Sequence, residues 1–480
     1  MTQNDSSRRS FLKKTVTVAA AAVVAPTLLT RKASGIVPPT TTLAPASERL
    51  RLACIGIGNR GSDIINDHYN TGLCDIVALC DVDLGAKHTV GNLKKFPNAK
   101  QFQDFRQMFD KMGKEIDAVT VGIPDFAHFP ATMLAMSLGK HVYCEKPMAR
   151  TFNEVELMIK GAKKHKVVTQ MGNQGHSEAN YFQFKTWVDA GIIKDVTAIT
   201  AHMNGARRWH GWDVNIKSFP PKEPVPETLD WDTWLGTAQW HDYNHDYHLG
   251  QWRCWYDFGM GALGDWGAHI LDTAHQFLKL GLPYEVDPVK LEGHNKFFFP
   301  QASTLKFRFA ARENMPPLDI TWYDGVNNIP AVPAGYGVSK LDPNIPPPSN
   351  GQIQPAALNP GKIIYSKDLI FKGGSHGSTL TIIPPEKAKE MESKLPEVPK
   401  SPSNHATNFL KSIKGEEQAR SSFDIAGPLS QVFNLGVIAQ WLNTKIEFDP
   451  VKKKITNNKL ANELLVGTKP RKEWKEFYKI

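Results

Sequence analysis

Three side chains have the types and the setting for acid–base work on a hydroxyl group: Lys146, Asp265 and His269. Lys146 follows the short apolar run His141–Cys144 in the triplet Glu145-Lys146-Pro147. The proline stiffens the turn and fixes the direction in which the lysine points. An ammonium there can hydrogen-bond a hydroxyl and favours the alkoxide-like charge that develops as hydride leaves. Asp265 and His269 are four residues apart, which predicts a helix from about Asp265 with both on one face of its first turn. Asp272, three residues further on, is placed to hold the second ring nitrogen of His269, keeping one tautomer and raising the basicity of the other nitrogen. Taken alone, the same residues also read as a solvated loop lysine, an N-capping Asp265 and a packed, satisfied His269.

The elements that must position these groups begin with the run Arg51 to Gly61. Apolar Leu52, Cys54, Ile55 and Ile57 read as a buried strand, and Gly56, Gly58 and Gly61 then spell G-x-G-x-x-G before a helix opening at Ser62. The first glycine permits the tight turn, the second lets the backbone approach a pyrophosphate, and the third lets helix and strand pack closely. The helix N-terminus offers N–H groups and a positive dipole end to phosphates. A second strand, Asp75–Cys80, ends at Asp81, about 20 residues past the glycines, where a dinucleotide fold holds its ribose hydroxyls. The strand Ile116–Gly122 ends at Pro124-Asp125-Phe-Ala-His128, followed by a helix closed by Gly139. Alternating strands and helices predict an α/β, doubly wound parallel sheet with its ligand at the C-terminal strand ends.

G-x-G-x-x-G, then P-D-x-x-H, then G-K-H-V-Y-C-E-K-P-M-A resembles the Gfo/Idh/MocA family, the glucose–fructose oxidoreductase and inositol dehydrogenase superfamily, over about residues 50–450. The resemblance implies a Rossmann domain followed by an α+β domain whose open, mostly antiparallel sheet covers the nicotinamide. Glu145, Lys146 and Pro147 match the family triplet, whose lysine contacts nicotinamide and substrate. Asp265 and His269 match its D-x-x-x-H, so Lys146, Asp265 and His269 form the implied catalytic set. The cofactor would lie against Gly56, Gly58, Asn59, Arg60 and Gly61, with Asp81, Pro124, Asp125, His128, Glu145 and Lys146 along the strand ends. Asp81 favours NAD, because its charge repels a 2′-phosphate, while Arg60 in the glycine loop keeps NADP open. Strand-like segments Val196–His202, Thr304–Phe309 and Leu318–Tyr323 supply the second sheet. His176, Arg207, Trp209, Trp252, Arg253 and Asp272 read as substrate contacts. The tryptophans between Trp209 and Trp255 suit stacking on sugar C–H faces, or else ordinary loop packing. His405 matches a position near the family's substrate pocket only loosely.

The domain reading is 1–48 signal and linker, 49–168 nucleotide domain, 169–450 substrate and oligomerisation domain with an irregular insertion at 324–362, and 451–480 a C-terminal extension. Ser7-Arg8-Arg9-Ser10-Phe11-Leu12-Lys13, with the apolar run Val16–Leu29, resembles a twin-arginine export signal. It implies a periplasmic protein exported folded by the twin-arginine machinery with its nucleotide inside. The net charge of +9 is scattered and without interleaved aromatics, which argues against a nucleic-acid partner. Five cysteines make no zinc spacing, and His241 and His245 lack a helical pattern, so no metal is expected. Lys372-Gly-Gly-Ser-His-Gly377 reads as another tight turn, which could border the site and carries no specific assignment. The resemblance implies a carbohydrate or polyol substrate and a homo-oligomer. It leaves three outcomes open: a dehydrogenase, a redox-neutral glycosidase (oxidation, elimination, hydration, reduction) and a sugar-binding protein with a vestigial site.

Overall fold

A computed structural model of the protein describes residues 49–203, 205, 209–337 and 358–479; the export motif and Arg207 lie outside the described residues. The first sheet has six parallel strands, β1 (Leu50–Ile55), β2 (Cys74–Cys80), β3 (Lys100–Phe102), β4 (Ala118–Val121), β5 (His141–Cys144) and β6 (Thr169–Met171), in the order β3-β2-β1-β4-β5-β6. β1 and β4 are nearly continuous apolar runs because helices cover both faces of the sheet. β3 carries no such signature: two of its three residues are exposed and it pairs only at the edge, so periodicity does not announce it. Strand order reverses between β1 and β4, and the crevice opens at their C-terminal ends.

The second sheet has nine strands: β7 (Val196–Met203), β8 (Glu285–Glu292), β9 (Ala302–Phe309), β10 (Leu318–Asp324), β11 (Gly361–Ser366), β12 (Ile370–Gly374), β13 (Thr381–Ile383), β14 (Ile446–Asp449) and β15 (Lys454–Ile455). All pairs are antiparallel except β7 with β10. Alternate residues such as Leu305, Phe307, Ile320 and Trp322 are buried on its inner face. The insertion expected over 324–362 starts as the strand β10 ends and finishes as β11 begins; Gly325–Gly337 is irregular, and 338–357 lie outside the described residues.

The helix Phe423–Leu442 runs between the sheets and is buried nearly all round, as its apolar sequence requires. It packs on the helices Phe152–His165 and Gly261–Ile270. The latter carries Asp265 and His269 and begins four residues earlier than the i, i+4 reading places it. Gly264 lies within this helix, and a Cβ there would sit 2.3 Å from Met260 Cβ, so this glycine is a close-packing helical residue. Gly267 plays the same part against Phe433, where a Cβ would come within 2.7 Å of two ring carbons.

Most of the aromatic residues between Trp209 and Phe258 build a subcore rather than a sugar platform. Trp231 and Trp234 stack at 4.5 Å, and Trp255 and Phe258 are buried beneath them. The segment is tied over the nucleotide domain: Asp230 N–H donates to the Val82 carbonyl at 2.9 Å, and Gln103 Nε2 donates to the Thr228 carbonyl at 2.8 Å. The C-terminal segment fastens it from the far side. Arg471 donates to the Gly236 carbonyl at 2.8 Å, and Trp474 is buried against Phe105 with the Arg106 guanidinium 4.2 Å above its ring.

Gly267→Ala tests the close approach. Better helix propensity offers about 1 kcal/mol, but overpacking a rigid ring costs about 1–3 kcal/mol. A net loss of about 1 kcal/mol is expected, and Phe433→Leu in the same chain should reverse its sign; thermal unfolding of the four variants checks both.

Candidate active site

A cavity of about 700 Å³ lies between the C-terminal ends of β1, β2, β4 and β5 and the helix Gly261–Ile270. Its floor is the glycine loop. Gly56 turns with φ +82°, and a Cβ there would sit 2.4 Å from the Gly122 carbonyl oxygen; one on Gly61 would sit 2.2 Å from the Gly56 carbonyl oxygen. This is the bare backbone cradle a pyrophosphate needs, with the first turn of the helix Arg60–Tyr69 above it. Asp81 ends β2 and accepts from Ile57 N–H at 2.9 Å and from Asp83 N–H at 3.1 Å. Burial raises its pKa while those amides oppose the shift. It therefore pins the glycine turn and still faces the cavity. The cradle and the carboxylate fit an adenine dinucleotide.

Arg60 turns away from Asp81. Its Nε donates to Glu145 Oε1 at 3.1 Å, and its Nη1 lies 3.7 Å from Asp63. Asp125 and Pro124 line the cavity beside Gly122. His128 lines it too, but both ring nitrogens face backbone carbonyls: Nε2 lies 2.8 Å from Ile123 O and Nδ1 lies 2.9 Å from Pro147 O. Burial holds its pKa below the ordinary value. The neutral ring donates to one carbonyl at a time, so His128 ties the end of β4 to the Glu145–Pro147 turn and offers the cavity a ring rather than a donor.

From that turn Lys146 reaches across to the second domain. Its Nζ donates to the Asp265 carbonyl oxygen at 2.6 Å and to Asp265 Oδ1 at 3.0 Å. Arg253 approaches the same carboxylate, with Nε 3.6 Å from Oδ1, and its guanidinium lies 4.1 Å above the Trp252 ring. One turn along the helix, His269 faces the same cavity, buried and stacked on His376 with ring centroids 4.0 Å apart. Burial pushes its pKa well below the ordinary value, and the neighbouring Lys146 ammonium acts in the same direction. The imidazole is neutral at pH 7, the form a base requires.

Asp272 does not hold His269. The first helix ends at Ile270 and a second runs Asp272–Phe277, so the three-residue spacing crosses a helix break and the two side chains diverge. Asp272 instead accepts from Thr273 N–H at 2.7 Å and lies 3.5 Å from His176 Nε2; Nδ1 of His269 is buried with no hydrogen-bond partner among the described residues. His176 and Asp272 thus form a buried pair behind the cavity wall rather than a substrate contact. Trp209 packs on the aromatic subcore. Trp252 and Arg253 do line the cavity. His405 is buried away from it, with Nδ1 2.8 Å from Ser177 Oγ and Nε2 2.8 Å from Met171 O.

Of the tryptophans read as stacking or packing, Trp234 also lines the cavity, from the strap formed by residues 228–236. Among the lining residues that no motif assigned are His88, which lies against Gly58, Trp474 from the C-terminal segment, and His376 from the β12–β13 turn. Of these three only His376 had a signal, a histidine inside a glycine-rich turn.

Two family profiles match the chain: "Oxidoreductase family, NAD-binding Rossmann fold" over residues 50–173, and "Oxidoreductase family, C-terminal alpha/beta domain" over 178–300 and 366–476. The inositol 2-dehydrogenase of Salmonella paratyphi B is 29% identical over 186 residues, 38% of this chain and 51% of that protein. The D-glucoside 3-dehydrogenase of Escherichia coli K12 is 28% identical over 172 residues, 36% of this chain and 48% of that protein. The chain spans about half the length of these curated relatives. The WlbA dehydrogenase of Chromobactrium violaceum, solved with NADH and UDP-GlcNAcA, shares the fold at a TM-score of 0.55 with 13% identity, covering 86% of this chain and 99% of that one.

Lys146→Met removes the ammonium while keeping the chain length. Bound nucleotide should persist, because the cradle is untouched, and the single-turnover rate of nucleotide reduction should fall by roughly 10²–10⁴. Stopped-flow absorbance of the reduced nicotinamide, beside the nucleotide content of the purified variant, checks both.

Proposed function

We propose a function from one premise: the chain belongs to the Gfo/Idh/MocA oxidoreductase family, and its cleft is built to oxidise a hydroxyl-bearing carbon of a carbohydrate or polyol. The observation that carries this reading is the meeting of Lys146 from the first sheet with Asp265 and His269 from the second domain over one cavity. A bound nicotinamide supplies the hydride acceptor. Lys146 donates to the substrate hydroxyl oxygen and stabilises the negative charge that builds there. His269, neutral because it is buried beside that ammonium, takes the hydroxyl proton. Asp265 holds Lys146 in place through its carbonyl and carboxylate and fixes its direction.

NAD is the preferred dinucleotide. Asp81 stands at the ribose end, and the one arginine of the glycine loop is engaged by Glu145 and Asp63, away from a 2′-phosphate. The names of the inositol and glucoside dehydrogenases support the substrate class. The twin-arginine motif supports export to the periplasm with the nucleotide already bound, and the strap tied over the nucleotide domain supports its retention. The family resemblance supports a homo-oligomer.

Mass spectrometry of the denatured full-length protein should release NAD. A panel of myo-inositol, D-glucose, methyl glucosides and nitrophenyl glycosides, with an artificial electron acceptor, should give oxidised product for at least one member. Aglycone release with no net reduced nucleotide would replace this reading with redox-neutral hydrolysis. Absence of nucleotide, with every activity indifferent to Lys146→Met, would replace it with a binding protein.

A further inference from the structure

The turn between β12 and β13 projects His376 into the catalytic cavity, more than a hundred residues along the chain from His269. His376 has φ +53°, the left-handed region that a side chain other than glycine enters at a cost. Its neighbours Gly374 and Gly377 are glycines, yet the left-handed position itself is a histidine. Three contacts hold it there. Its backbone N–H donates at 2.8 Å to the His269 carbonyl, one of the acceptors left over at the end of that helix. Its Nδ1 lies 3.0 Å from the hydroxyl of buried Ser375. Its ring lies between the edge of Trp266, at 5.4 Å, and the face of His269, 4.0 Å away with planes 16° apart.

Two near-parallel imidazoles therefore line the same cavity next to each other. Side chains so placed can each meet one of two hydroxyls on neighbouring carbons of a sugar or cyclitol ring. Resting on the function proposed above, we propose that His376 is a specificity-determining residue that hydrogen-bonds a second hydroxyl, vicinal to the one that Lys146 and His269 act on. The substrate class is thereby narrowed to vicinal diols. A site that hydrogen-bonds a substrate hydroxyl rejects the analogue lacking it, because its own polar group is then left unpaired.

The test is an enzyme–substrate cycle on the full-length, nucleotide-loaded protein. myo-Inositol, methyl glucoside and their monodeoxy analogues are compared in wild type, His376→Phe and His376→Asn. Phenylalanine keeps a flat ring to stack on His269 without a hydrogen-bonding nitrogen; asparagine tolerates the left-handed backbone and keeps a polar group. Wild type should discriminate at least tenfold in kcat/KM against one deoxy position beside the oxidised carbon. His376→Phe should keep its nucleotide, melt somewhat lower because a bulky ring tolerates the left-handed backbone less well than histidine, lose at least tenfold on the parent substrate and treat that deoxy analogue as equal to the parent. His376→Asn should recover part of the discrimination. Unchanged discrimination in His376→Phe overturns the inference while leaving the oxidoreductase reading intact. Loss of nucleotide and thermal stability in both variants makes His376 a structural residue and overturns it too. No turnover of any vicinal diol by wild type overturns both readings together.

Discussion

A lysine ammonium from one sheet and an aspartate from the other domain meet inside the cleft, and the rest of the molecule is arranged around keeping them there. Lys146 and Asp265 are each only about one-tenth exposed, so their pairing is desolvated. Such a pair is weak evidence for stability, since removing two charges from water costs about what their attraction returns. What it provides is registration. Lys146 bonds both the backbone carbonyl and the carboxylate of Asp265, which fixes the helix Gly261–Ile270 of the second domain against the β5 turn of the first. The long buried helix Phe423–Leu442, packed on elements of both domains, supplies the apolar support that a polar contact alone lacks.

That contact also sets the charge state of its neighbour. His269 is buried, close to Lys146, and stacked on a second imidazole. Every one of these conditions disfavours a proton on the ring, and only Asp265 acts the other way. The site therefore sets a neutral base beside the Lys146 cation, an arrangement able to accept a proton at neutral pH without first losing one. The absence of a carboxylate partner for His269 is part of this logic. An Asp272 bonded to the ring would stabilise the imidazolium and return the site towards a resting cation.

What the sequence made legible was local. The glycine loop, Asp81 and the Glu145–Pro147 triplet are each written within a single strand–turn unit, and their spacing carries their geometry. The error over Asp272 came from extending a helical count through Leu271, where one helix stops and another starts. No turn residue marks that break, since Leu271 sits near the helical region with ordinary backbone angles. His88 was illegible for a different reason, and His376 showed only as a histidine in a glycine-rich turn: each reaches the cavity through tertiary packing that no periodicity encodes. The tryptophans divided along the same line. Those on the strap that face inward became core, and their chemistry was decided by what folded over them.

The strap explains why a second layer of aromatic residues exists at all. A Rossmann crevice is open on the side away from its sheet, and a dinucleotide bound there exchanges freely unless something covers it. Here residues 228–236 bond to the loop after β2, and the C-terminal segment bonds to the strap while burying Trp474 beside Phe105 of the nucleotide domain. The cover is thus anchored at both ends, and Trp234 and Trp474 are among the residues that line the cavity. Opening it means exposing Trp474 and releasing the Arg471 contacts together. In the function proposed above, a cover of this kind is what would slow the exchange of a nucleotide lodged beneath it.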